Sequence, residues 1–383
     1  MSEPRKIVLI LGNGFDLDLG LKTSYKDFWE SDYCPKDYPA PLIRHLNQRW
    51  QDDLDAVRWY DLENELMSYY KSLPNPNTGE EFFTEEEITL IKDFSSYNFG
   101  CGFYNDRIDV VNSLIEKGVL KATRQPLGGW YVEEIYDKKE CLSPPSYRDL
   151  RALSQIKEGL CNYLKSLSWA HSENDTMAGQ ILGVMNYRQT QGDIVDIYSF
   201  NFTRVLYRNH EPKAQVHYMH GSCDDGSIII GTRDDVDMVR EYDFLQKVMA
   251  DDFNSPDIVT ALREADEVII FGHSLGQNDR QYFAPFFKRQ SEENNPTKKD
   301  IVIITSDTLS KREVKRSMQK MTDGHLSSLF SINQPLFIRT KEIEKDCERY
   351  KDFLEKHGLS EIQSEEQIRI LLKKQNAFNN TKN

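Results

Sequence analysis

Three stretches of the chain place small or polar residues directly after an apolar, β-like run: ILGNGFD (10–16), IYSFNFT (197–203) with HYMHGS (217–222), and IIFGHSLGQND (269–279). In α/β folds such strand ends are where ligands bind. Gly12, Asn13, Gly14, Phe15 and Asp16 have the first two glycines of a dinucleotide-binding turn. Small residues there let backbone N–H groups approach a pyrophosphate at a helix N-terminus, whose dipole favours negative charge. Asp16 either bonds a ribose or caps the helix. Leu17 takes the third glycine position, and no second strand ending in an acidic residue follows about twenty residues later to hold a ribose. Both departures disfavour a hydride-transfer dehydrogenase.

In the second stretch an apolar run ends in Ser199, Phe200, Asn201, Phe202 and Thr203. The Asn201 amide both donates and accepts without charge, which suits a ribose hydroxyl or a water. The alternative gives Asn201 and Thr203 only turn and capping bonds. His220 precedes Gly221 and Ser222 into a loop, and an imidazole with an ordinary pKa near 6.5 can act there as a general base. His217, three residues earlier on an alternating strand, points to the opposite face.

The third stretch, Gly272-His273-Ser274-Leu275-Gly276, matches the nucleophile-elbow pattern G-x-S-x-G. A serine hydrolase on Ser274 needs an acid and then a histidine downstream, for which Asp307 with His325 or His357 are the candidates. None lies in a convincing strand-end loop, and the elbow leaves ILGNGFD without a role. The other reading has Gly272 and Ser274 lining a nucleotide cleft, with Asp279 capping or anchoring the next helix.

Elements must bring these stretches together. Lys6 to Leu11 reads as a strand buried on both faces. Ser24 and Asp27 fit a capping box ahead of a helix carrying Tyr25, Phe28 and Trp29 on one face. From about Pro41 to Gln191 the pattern is helical, as in LDAVRWYDLENELMSYYKSL and YRDLRALSQIKEGLCNYLKSL, broken by a polar stretch around Ser95 to Gly129. Strand-like text returns at Ile194 to Ser199, Gln215 to Met219, Ser227 to Gly231, Glu267 to Gly272 and Ile301 to Thr305, with Leu336 to Arg339 as an edge. Alternating strands and helices predict a Rossmann-like, mostly parallel α/β sheet whose strand C-termini share one rim. The expected division is 1–30 for the first strand, turn and helix, 31–191 for an α-helical insertion, 192–372 for the rest of the Rossmann-like domain, and 373–383 for a disordered tail.

With 383 residues the chain has length for one large or two medium domains. A formal net charge of -14 argues against broad, non-specific nucleic-acid backbone binding and leaves room only for a local basic groove. The six cysteines are scattered, without a C-x-x-C pair or a histidine at metal-ligand spacing, and read as reduced thiols of a cytoplasmic protein with no metal. No segment approaches a membrane span, and no carboxylate cluster has convincing nuclease spacing.

ILGNGFDLDLGLKTSYKDFW, WYDLENEL, IYSFNFT, HYMHGS and IIFGHSLGQND, in this order, closely resemble the AbiH family of bacterial phage-defence proteins. More distantly, they resemble the sirtuin-like NAD-cleaving domains of other phage-defence systems. That second likeness implies an NAD pocket contacted by Gly12, Asn13, Gly14 and Asp16, with Asn201 as ribose-side catalytic residue, His220 as catalytic histidine, and Gly272 and Ser274 beside the adenosine. Phe15, Ser199, Thr203, Gly221 and Asp279 complete the expected pocket. Thr203 stands where such motifs commonly carry Asp, and the zinc-binding cysteine module of protein deacetylases is missing, which sets an acyl-lysine deacetylase aside. The implied reaction is hydrolysis of NAD to ADP-ribose and nicotinamide without a metal, in a homo-oligomer answering a phage-derived trigger. The competing expectation is a nucleotide-binding sensor or assembly module with no turnover. Asp61 and Glu63 belong either to a wall over the cleft or to an exposed helix face.

Overall fold

The computed structural model describes residues 4–52, 61–73, 83–93, 107–117, 119–124, 130–135, 143–167, 175–206, 210–294 and 297–380. Six strands form one parallel sheet in the order β5-β4-β1-β6-β7-β8. They are β1 (Lys6–Leu11), β4 (Ile194–Ser199), β5 (Gln215–Tyr218), β6 (Glu267–Phe271), β7 (Asp300–Thr305) and β8 (Leu336–Arg339). A hairpin of β2 (Leu120–Arg124) and β3 (Trp130–Ile135) stands apart. Counted along the sheet alone, the six strands run 3-2-1-4-5-6, the order of dinucleotide-binding folds.

Alternation along β1 explains why the strand is apolar throughout. Ile7, Leu9 and Leu11 enter one core with the helices Met177–Thr190, Cys347–Lys356 and Glu361–Asn380. Val8 and Ile10 enter the other with Ile258–Glu264, Arg280–Gln290, Thr308–Met321 and Leu326–Asn333. Both faces are covered, so neither tolerates a polar side chain.

Two compact units emerge, one of residues 1–24, 164–228 and 252–383 and one of 25–163 and 229–251. This differs from the expected insertion 31–191 at both ends. Met177, Ala178, Ile181 and Met185 pack in the sheet's core, and the Ala178 amide donates to Asp18, so that helix belongs with the sheet. Conversely, 229–251 joins the helical unit, where Tyr242 reaches Asp149 and the buried Lys247 pairs with Glu63 at 2.8 Å. The β2–β3 hairpin shows that this unit is not wholly helical.

Three further expectations change. Ser227 to Gly231 forms no strand: Ile228, Ile229 and Ile230 are buried as irregular chain. The tail is helical through Asn380, because Ile368 and Leu371 dock into the sheet's core. In the helix Leu62–Ser72, Asp61 caps the Asn64 amide and Glu63 is held by Lys247, so neither is an idle exposed charge. The segments 53–60, 94–106 and 125–129, covering parts of the helical pattern and of the polar stretch, lie outside the described residues.

Candidate functional site

The register levels the strand ends: Ser199 and Phe271 flank Leu11, and Tyr218 sits beside Ser199. The three stretches therefore leave the sheet side by side. Backbone bonds lock their first residues together, from Gly12 to the Phe271 carbonyl, Gly14 to Gly272, Phe200 to Leu11 and Met219 to Ser199, each at 2.8–2.9 Å. The chain turns to one face after β1, where Phe15 joins the first core, and to the other after β6, where Phe283 joins the second. That divergence is the topological switch point at which α/β sheets hold ligands.

Gly12 and Gly14 owe their small size here to this crossing. A Cβ on Gly12 would lie 2.5 Å from the His273 Cα, and one on Gly14 2.7 Å from the Gly272 Cα. The Gly14 amide, expected on a phosphate, donates instead to the Gly272 carbonyl. Asn13 accepts from the Thr23 hydroxyl at 2.6 Å. Phe15 packs edge-on against Phe271 in the core, and Ser199, fully buried, bonds the Asn201 backbone. Gly221 has φ +73°, and a Cβ there would strike the Ser227 carbonyl at 1.9 Å. These positions shape the rim through the backbone.

Asp16 neither caps its helix nor stands free for a ribose. It is 3% exposed and accepts from Asn201 Nδ2 at 3.0 Å and from Thr203 Oγ1 at 2.6 Å. The Asn201 amide also donates to the Gly12 carbonyl at 3.1 Å. Burial pushes the Asp16 carboxyl up to about 7, against the two hydrogen bonds that favour its charged form.

A second network joins the loops after β5 and β6. His220 Nε2 meets Asp279 Oδ1 at 2.9 Å, and His273 Nε2 lies 3.3 Å from Asp279 Oδ2. His273 Nδ1 accepts the Leu275 amide at 2.9 Å, so Nε2 carries the hydrogen that faces the carboxylate. Phe200 fills the space beneath, with ring centroids 5.4 Å from His220 and 4.4 Å from His273. Both imidazoles are thus fixed in orientation by one carboxylate and one aromatic ring. His217 goes elsewhere, stacking on Tyr198 and facing Asp196, as strand alternation requires. Asn201 and His220, expected to work together, are anchored in different networks.

A family model described as "Bacteriophage abortive infection AbiH" matches residues 8–298. The chain belongs to the AbiH family. No curated protein and no solved structure matches it. The family match takes in all three rim stretches and both networks of this AbiH chain, which is therefore a phage abortive-infection protein. Among the described residues, no helix is long and apolar enough to cross a membrane.

Sequence reasoning missed His273 and the bridging role of Asp279. The signal was present: His273 follows a strand and precedes a small residue, as His220 does, but the G-x-S-x-G pattern drew attention to its serine. Ser274 is exposed, and the left-handed backbone falls on Leu275 (φ 52°) rather than on the serine, unlike a strained nucleophile elbow. His357 is bonded to Glu267 at the opposite end of β6, and Asp307 caps the Ser310 amide. Asp307 and His357 are thus engaged away from Ser274.

Proposed function

We propose that the rim binds NAD and hydrolyses it to ADP-ribose and nicotinamide, with His220 as general base and Asp279 holding it. One observation supports this above the others: a carboxylate-anchored histidine stands at the strand ends beside the switch point of a sheet with dinucleotide-binding strand order. A carboxylate only accepts, so Asp279 keeps the His220 hydrogen on Nε2 and makes Nδ1 the basic nitrogen. The bond between C1′ of the ribose and the nicotinamide nitrogen breaks, and its electron pair leaves with nicotinamide. Water then attacks the oxocarbenium-like carbon and gives its proton to the His220 imidazole. Asn201 contributes by fixing the first turn through Asp16 and Gly12.

Purified protein incubated with NAD is expected to release equimolar ADP-ribose and nicotinamide. His220→Ala and Asp279→Ala should each lower kcat by at least about a hundredfold, while His217→Ala leaves it unchanged. Full activity in both of the first two variants refutes the assignment.

A second reading, a nucleotide sensor without turnover, has its own support: the Asn201 amide is committed to Asp16 and Gly12 rather than turned outward. NAD or another nucleotide would then raise thermal stability while no product accumulates.

A further inference from the structure

The chain carries 62 acidic against 48 basic residues, yet the helix Thr308–Met321 (TLSKREVKRSMQKM) reverses the balance locally. Lys311, Arg312, Lys315, Arg316 and Lys320 there face only one acidic neighbour on the helix, Glu313. Val314, Met318 and Met321 bury its apolar side in the sheet's core, which leaves Arg312, Arg316 and Lys320 exposed. At 1.5 Å per residue these three cations repeat about every 6 Å along one face. Carboxylates nearby are spent on other partners: Asp323 on Lys288, Glu342 on Arg339 and Lys345, Asp346 on Arg339 and Arg349. Lys311 and Lys315 place their ammonium groups over the rings of Phe337 and Phe330, each at 4.9 Å. Burial, and then the charges of Lys315, Arg339 and Arg349 against that of Asp346, hold the Lys311 amine below its ordinary pKa. Like charges four residues apart destabilise a helix. A face that bears this cost, in an acidic chain, is organised for an external anion.

We infer that this face docks the phosphate backbone of a nucleic acid, through Arg312, Arg316 and Lys320 with Lys311 and Lys315 at its flank. The even spacing suits a regular ladder of phosphates, and the arginine forks match phosphate oxygens. A membrane fits less well, because the helix buries Val314, Met318 and Met321 in the sheet's core and leaves Leu309 as its one exposed large apolar side chain, too little for an inserting face. The chain's overall negative charge opposes long-range approach, but at physiological salt fields decay over about 8 Å and the local patch decides. The helix lies beyond the residues matched by the family and carries none of the residues of the NAD reading, so the inference stands apart from it.

The test is fluorescence anisotropy of labelled single-stranded and duplex DNA of mixed sequence with the full chain, between about 50 and 300 mM salt. Expected is sequence-independent binding whose log K falls with log salt at a slope of about -2 to -4. Arg312→Gln/Arg316→Gln/Lys320→Gln should lose at least about tenfold in affinity and about two to three from the slope, each single variant just under one, and Lys373→Gln nothing. Absence of binding at the lowest salt, binding unchanged in the triple variant with native circular dichroism, or tighter binding to poly-glutamate or anionic vesicles than to DNA would each overturn the proposal.

Discussion

Replacing Asp16 by asparagine should remove one pH-dependent contribution to stability, so that the gap between variant and native chain changes with pH. The carboxyl is buried between Asn201 and Thr203, and its pKa lies at about 7 against an ordinary 3.8. Between those values the folded protein keeps a proton that the unfolded chain has released. Stability from this group is therefore fully present below about 4, declines as pH rises, and is gone above about 7. At about 1.4 kcal/mol per pH unit the whole swing is about 4 kcal/mol. The Asp16→Asn side chain would remain neutral: its amide oxygen can accept from Asn201 and its amide nitrogen can donate to the Thr203 hydroxyl, so both contacts survive. At pH 4.5 the variant should match the native chain closely, and at pH 8 it should be the more stable by several kcal/mol. For a folding unit of this size that corresponds to roughly 10 °C in Tm. Thermal unfolding of both proteins from pH 4.5 to 8.5 measures the gap directly. Parallel curves would refute the argument, since they would mean that the Asp16 carboxyl is solvated or already ionised in the fold.

Gly272→Ala should cost at least about 3 kcal/mol or abolish soluble expression, because φ is +66° and the new Cβ would lie 2.4 Å from backbone atoms of Gly14 and Phe15; urea unfolding checks it. Lys247→Met should destabilise the helical unit by about 3 kcal/mol by stranding Glu63, and Lys247→Met/Glu63→Gln should recover most of that loss in a double-mutant cycle. Ser274→Ala should leave NAD turnover unchanged, and the native chain should resist labelling by a fluorophosphonate; labelling at Ser274 would restore the hydrolase reading.

Local sequence determined the strands of the sheet and the rim they share. A run such as Ile7 to Leu11, apolar at every position, has one stable environment, a parallel strand covered on both faces, and glycine or polar residues must follow where the chain turns out. The separation of His217 from His220 was legible for the same local reason, since successive side chains on a strand point to opposite faces. Only tertiary structure decided which side chains met. Asp16 and Asn201 are 185 residues apart in sequence, and His220 and Asp279 are 59 apart; no local pattern encodes a contact made by the order of strands in a sheet. The same order gives Gly12, Gly14 and Gly272 a packing reason to be glycine, because a Cβ clash depends on what lies opposite. Affiliation of 177–190 with the sheet and of 229–251 with the helical unit was likewise settled by packing, where the side-chain partners of Met177, Tyr242 and Lys247, not their own helical or loop character, determine the unit to which they belong.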